Sequence, residues 1–135
     1  MIQVRQHVSA PKLNDVKGEL NRQIKIIQSK ISIKSGATVA IACSSRGISG
    51  YNNIVAQTVK ALKGMGLHPF IVPAMGSHGG ASDHGQIKIL SHLGITEASM
   101  GVPIHSSMEV VEISQTQDGL PVYIDKNAFQ ADYIV

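Results

Sequence analysis

The sequence predicts an α/β chain: a Rossmann-like, mostly parallel sheet with flanking helices, and a small β-hairpin region near the C-terminus. Three observations carry this. Two apolar runs, Thr38-Val39-Ala40-Ile41-Ala42 and His68 to Val72, lack polar alternation, as strands covered on both faces do. Each leads through a small-residue loop into a stretch with helical periodicity, the order β-loop-α-β-loop-α. Further on, Gln117-Asp118-Gly119 separates two short apolar segments, and Asp-Gly favours hairpin turns.

Taken in order, Ile2, Val4 and Val8 alternate and suggest an edge strand. Leu13, Val16, Leu20, Ile24, Ile27 and Ile31 recur at steps of three and four, the spacing of an amphipathic helix, and Ser35-Gly36 breaks it. After the first apolar run and the loop Cys43 to Ile48, Ser49 is placed to cap a helix through Tyr51, Ile54, Val55, Val59 and Leu62, closing at Gly64 or Gly66. After the second run Pro73 ends strand pairing, because it has no N–H to donate. The loop Ala74 to Ala81 follows. Ser82 or Asp83 caps a third helix with Ile87, Leu90 and Leu93 facing inward and Gly94 as its stop. Met108–Ile113 and Leu120–Ile124 read as the hairpin strands. Asn127–Gln130 reads as one helical turn, and Ala131–Val135 as the start of a buried strand.

Bulk properties narrow the function classes. The 135 residues suit one domain, an N-terminal α/β unit over 1–135, and 43% apolar with 16% charged residues is ordinary for a folded chain. The net charge is only +3 with scattered lysines, and the aromatics are three Tyr and two Phe, so neither a basic tail nor a base-stacking platform for nucleic acid is expected. The single cysteine, Cys43, excludes an internal disulfide and suits a reducing, cytoplasmic location. No stretch reads as a membrane span, and Met1–Val8 does not read as a signal peptide.

Chemistry is expected where loops leave the carboxyl ends of parallel strands. Cys43–Gly50 and Ala74–Asp83 are two such loops, and a right-handed crossover makes their strands neighbours. Arg46 then shares a crevice with His78. Arg46 offers a forked, permanently charged donor set that matches a carboxylate. His78 offers an imidazole, the side chain most often used as a general base. The plain readings are a solvated surface arginine and a glycine loop that binds an anion at a helix N-terminus. His84, His92 and His105 read as surface or structural, His7 and His68 carry no signal, and Cys43 reads as a small buried residue. His78 and His84 are not at a zinc-helix spacing.

SSRG after a strand, then PFIVPAMGSHGGA, GITEASMGVPIHSSMEVV and DGLPVYIDKNAFQADYIV, in this order and spacing, resemble the N-terminal part of the nickel-pincer lactate racemase family, from Thr38 onward. The resemblance extends to its branch acting on other α-hydroxy acids. It implies two α/β domains with the active site between them, so the partners are a small hydroxy-acid substrate and the C-terminal domain of the same protein. The implied cofactor is a nickel pincer nucleotide made from nicotinic acid. The substrate's α-hydrogen leaves as a hydride to it while a histidine takes the hydroxyl proton.

By the same resemblance His78 matches the first catalytic histidine and Arg46 the substrate-holding arginine. Ser45, Gly76 and Ser77 fall at substrate-binding positions. Cys43 stands where the lactate enzymes carry an acidic residue, and Gly79 where they carry an arginine; both point toward a different, larger hydroxy acid. The second catalytic histidine, the cofactor-attaching lysine and the nickel-binding histidine have no counterpart among the six histidines and nine lysines here. No metal ligand is therefore expected in this chain, which is read as an N-terminal fragment, inactive alone and inclined to self-associate through Tyr133–Val135. The alternatives are a non-catalytic anion- or phosphate-binding domain and a structural or interaction module.

Overall fold

The computed structural model describes residues 2–7, 9 and 12–135. Three strands, β1 (Thr38–Cys43), β2 (His68–Pro73) and β5 (Tyr133–Ile134), form a parallel sheet in the order β2-β1-β5. β1 and β2 are in register from Thr38 beside His68 to Cys43 beside Pro73. Ile104 adds a parallel bridge on the outer side of β2, with Ile71 N–H donating to Pro103 O and His105 N–H to Ile71 O, both at 2.9 Å.

The sheet's side chains alternate between two cores. Val39, Ile41, Cys43 and Ile71 bury against Val55, Val59 and Leu62 of helix α2 (Tyr51–Gly64) and Leu90 of α3 (Asp83–His92). Met100 of the short helix α4 (Glu97–Met100) joins them. Ala40 and Val72 face the other way, onto Ala128 of α5 (Lys126–Gln130). Helices thus flank both faces, as the apolar runs predict, although Ala42 stays exposed. α1 (Val16–Lys30) packs against α2 rather than over the sheet centre, and none of its residues is fully buried. The antiparallel hairpin β3 (Val110–Gln115) and β4 (Pro121–Asp125) stands apart, with a register shift between Glu112 and Ser114. Its turn is closed by Gly119 at φ +79°.

Several expectations change. Residues 2–7 form no strand, and Ile2 and Val4 are 92% and 82% exposed; Val8 lies outside the described residues. The outer side of β2, where an added strand could pair, is taken by the 103–105 segment. Ser49 does not cap α2. That position is Gly50, whose φ of +70° turns the chain into the helix with no side-chain cap. On α3 Ser82 is the cap, as expected. Leu90 is buried, but Ile87 faces out at 41% exposure, and Gln86 takes an inward place. α4 lies in a stretch to which the sequence reading assigns no element. Both helix ends expected at glycines form as such: Leu67 N–H reaches Leu62 O past Gly66, and Ile95 N–H reaches Leu90 O past Gly94.

The last segment is paired within the chain. Val135 N–H donates to Ala40 O at 2.9 Å and Ala42 N–H to Val135 O at 2.8 Å. Asp132 pins its start. Its Oδ2 accepts from Thr38 N–H and from Thr38 Oγ1, both at 2.8 Å, and its own N–H donates back to Thr38 Oγ1. Donation from Thr38's backbone and hydroxyl holds the Asp132 carboxyl below its ordinary range.

The folded chain therefore binds fewer protons at Asp132 than the unfolded chain does. This contribution is present above the ordinary carboxylate value and is lost as pH falls through the lowered one. The stability difference between wild type and Asp132→Ala, from urea midpoints, should be constant above about pH 5 and shrink on acidification. A pH-independent difference would rule out this anchoring.

Candidate active site

The in-register ladder between β1 and β2 sets the site's geometry. One further bond, Ala74 N–H to Cys43 O at 2.7 Å, keeps the chains together as they leave the sheet. The loops after the two strands start side by side at the carboxyl edge. Across them, Ser45 Oγ lies 2.5 Å from His78 Nδ1. Two of the expected site residues are thus in direct contact, 33 positions apart in sequence.

The first loop is held from α2. Tyr51 Oη accepts from Ser44 N–H at 2.8 Å, and Ser44 Oγ donates to Arg46 O at 3.2 Å. Burial pushes the phenol of Tyr51 up, so it stays neutral, and burial likewise pushes the Cys43 thiol up, partly offset by a hydrogen bond to Tyr51. Cys43 is fully buried, in keeping with its reading as a small core residue. Arg46, next to Ser45 in the chain, is exposed and makes no ion pair among the described residues.

The second loop is locked onto the start of α3. Met75 is buried beneath it, His78 N–H turns back to Met75 O at 3.2 Å, and Ala81 N–H donates to Ser77 O at 3.0 Å. Gly76 and Ser77 lie on the exposed side of this loop with His78. The buried Gln86 donates from Nε2 to Gly76 O at 2.8 Å. Gly79 and Gly85 pack backbone to backbone. A Cβ on Gly85 would sit 1.8 Å from Gly79 O, and one on Gly79 would sit 2.5 Å from Gly85 C. A side chain at 79 is therefore excluded without moving the loop.

The N-terminus of α3 is largely satisfied from within the chain. Gly85 N–H goes to Ser82 Oγ at 3.2 Å, His84 N–H to Asp83 Oδ1 at 2.7 Å, and Gln86 N–H to Ser82 O at 3.0 Å.

Tyr51, Gln86 and Gly85 are the supporting residues that sequence reasoning missed. Only Gly85 carried a signal, since glycine inside a helix is costly and often marks close backbone approach.

A family model described as the lactate racemase N-terminal domain matches residues 3–135. The chain belongs to this family. A search of curated proteins returned no match. The resemblance seen in the motifs is thereby established at family level, and the α/β architecture agrees with it.

Among the described residues no group of three or more His, Cys, Asp or Glu is placed to hold a metal ion. No helix among them is long and apolar enough to cross a membrane. An apolar groove of about 270 Å³ between α1, α2 and β5 includes none of Ser45, Arg46 and His78. A more polar cleft at the amino ends of the strands, lined by Lys63, His68 and His105, does not include them either.

The packing at the loop makes a direct prediction. Gly85→Ala should displace the His78 loop and cost about 1–3 kcal/mol, as overpacking does. Gln86→Leu should cost a similar amount, about 1–3 kcal/mol, by leaving Gly76 O without its donor. Urea midpoints measure both, and unchanged midpoints would show that the loop is not held in this way.

Proposed function

We propose that the chain is the substrate-facing N-terminal part of a racemase or epimerase of α-hydroxy acids, with His78 as the residue that takes and returns the hydroxyl proton. The observation that carries this reading is the meeting of Ser45 and His78 across two loops at the carboxyl ends of adjacent parallel strands. Family membership supplies the reaction class.

The substrate carboxylate lies on the guanidinium of Arg46, a planar fork suited to two parallel hydrogen bonds. Anchored there, the α-hydroxyl is directed at the imidazole of His78. The ring takes the hydroxyl proton of one enantiomer as the α-hydrogen leaves with its electron pair to an acceptor outside this chain, and returns it in the reverse direction; a second base from the partner domain serves the opposite face. Gly76 and Ser77 line the approach without bulk. The match to an N-terminal domain implies a C-terminal partner domain, and to that domain belong the hydride acceptor and its attachment. That domain also forms the second wall of the crevice.

The substrate is an α-hydroxy acid other than lactate, because Cys43 is buried and Gly79 is packed against α3, so neither offers a charged group to it. A cytoplasmic location belongs to the same reading and is supported by the single reduced cysteine.

The anion-binding alternative finds little support, since Asp83 and Ser82 oxygens already occupy the second and third N–H groups of α3 and Asp83 adds a like charge to any anion there.

In a complete protein carrying both domains and loaded with nickel cofactor, His78→Ala should lower turnover on α-hydroxy acids by on the order of a hundredfold or more, while bound nickel stays unchanged. Retained turnover would remove His78 from the reaction. Arg46→Lys should lower kcat/KM by about tenfold to a hundredfold, the loss of a charge-assisted hydrogen bond. An unchanged kcat/KM would place the carboxylate elsewhere.

A further inference from the structure

We infer that Ser45 is a positioning residue that sets the tautomer of His78: its Oγ accepts a hydrogen bond from Nδ1–H and leaves Nε2 as the free base. The inference rests on the reading of His78 as proton acceptor and goes beyond it, since it assigns the proton to a stated ring atom.

The geometry admits two arrangements. A serine hydroxyl both donates and accepts, and a neutral imidazole has one nitrogen of each kind. If Ser45 donated to Nδ1, the proton of the neutral ring would sit on Nε2. The only nitrogen left to face a substrate would then be a donor, unable to take a proton. If Nδ1–H donates to Ser45 Oγ, the outward nitrogen is Nε2 with its lone pair. After it takes the hydroxyl proton, the imidazolium still donates from Nδ1 to the same oxygen. The contact therefore survives the proton transfer only with Ser45 as acceptor.

The surroundings suit a positioning role. Tyr51 and the Ser44 hydroxyl fix the loop that carries Ser45 through contacts at 2.8 and 3.2 Å. The His78 loop is fixed independently by Gln86 and the Gly79–Gly85 packing. Both ends of the Ser45–His78 contact are thus held by separate elements, as a positioning contact requires. The Ser45 hydroxyl proton, not used on the ring, is free to point toward a carboxylate on the neighbouring Arg46. Ser45 then orients the base and also touches the substrate, which reconciles its expected substrate-binding place with its observed partner.

The test is nitrogen NMR of the histidine rings in this chain at a pH where they are neutral, with His78 assigned from the signals lost in His78→Gln. Wild type should show a protonated Nδ1 and an unprotonated Nε2 at His78. Ser45→Ala should shift the ring toward the Nε2–H form that imidazole prefers in water, and Ser45→Thr should restore the wild-type pattern. In the complete racemase Ser45→Ala should lower kcat by on the order of tenfold to a hundredfold, as losing a partner that fixes a histidine's tautomer does. An Nε2–H ring in wild type, or a tautomer indifferent to Ser45→Ala, overturns the inference. If His78→Gln still abolishes turnover in that case, the reading of His78 as the base stands and only the role of Ser45 falls. If His78→Gln turns over normally, the reading itself fails.

Discussion

Six residues of β1 lie beside six of β2 in parallel register, and the position of every candidate site residue depends on that ladder. Parallel strands begin and end in the same sense, so an in-register pair delivers both following loops to one edge. A slip of either strand by one residue would turn its own isoleucine, Ile41 or Ile71, out of the core. Their burial, at 5% and 0% exposure, therefore fixes the same alignment that brings Ser45 to His78. Core packing and site geometry are two consequences of one register.

The second constraint is the packing of the His78 loop onto α3. Glycines such as those of GSHGG can leave room for a ligand to approach the backbone. The structure divides them. Gly76 and Gly80 have open space around them and serve positive φ values of 58° and 67°. Gly79 is needed because Gly85 lies against it. The loop is thus less a flexible cradle than a rigid platform fastened by internal contacts. Rigidity is what a proton-transfer residue requires, since a displacement of about 1 Å can cost on the order of a hundredfold in rate.

What the sequence made legible follows from how local each signal is. Apolar runs, three-and-four spacing, Gly66 and Gly94 as helix stops and the Asp118-Gly119 turn act over a few residues, and all appear in the structure. The adjacency of the two loops was legible too, because crossover handedness leaves little choice. The failures are long-range. Gln86 is inward because a carbonyl ten residues earlier needs its amide, and no local pattern announces that. Ser49 looked like a cap, but the chain enters α2 through a left-handed turn at Gly50. Ile2 and Val4 alternate as a strand would, yet alternation supplies no partner edge. The Ser45–His78 contact joins two motifs, and neither motif alone announces it. Proximity of Arg46 to the histidine loop was inferred, whereas the residue that touches the ring is its neighbour.

Arg46, Ser77 and His78 are all exposed, and this bears on what the loops can do alone. A guanidinium in water holds a carboxylate weakly, because solvent screens the pair and competes for its donors. An imidazole in water likewise exchanges protons with solvent as readily as with a bound hydroxyl. Both groups gain strength only when water is excluded, since the same charges interact several-fold more strongly at low dielectric. On the function proposed above, the arrangement is one wall of a site: its residues are braced by the fold, and the environment that would give them catalytic strength comes from a surface closing over them. Fastening each loop to its own helix suits that demand, because a wall that must meet another surface cannot rely on that surface to set its own geometry.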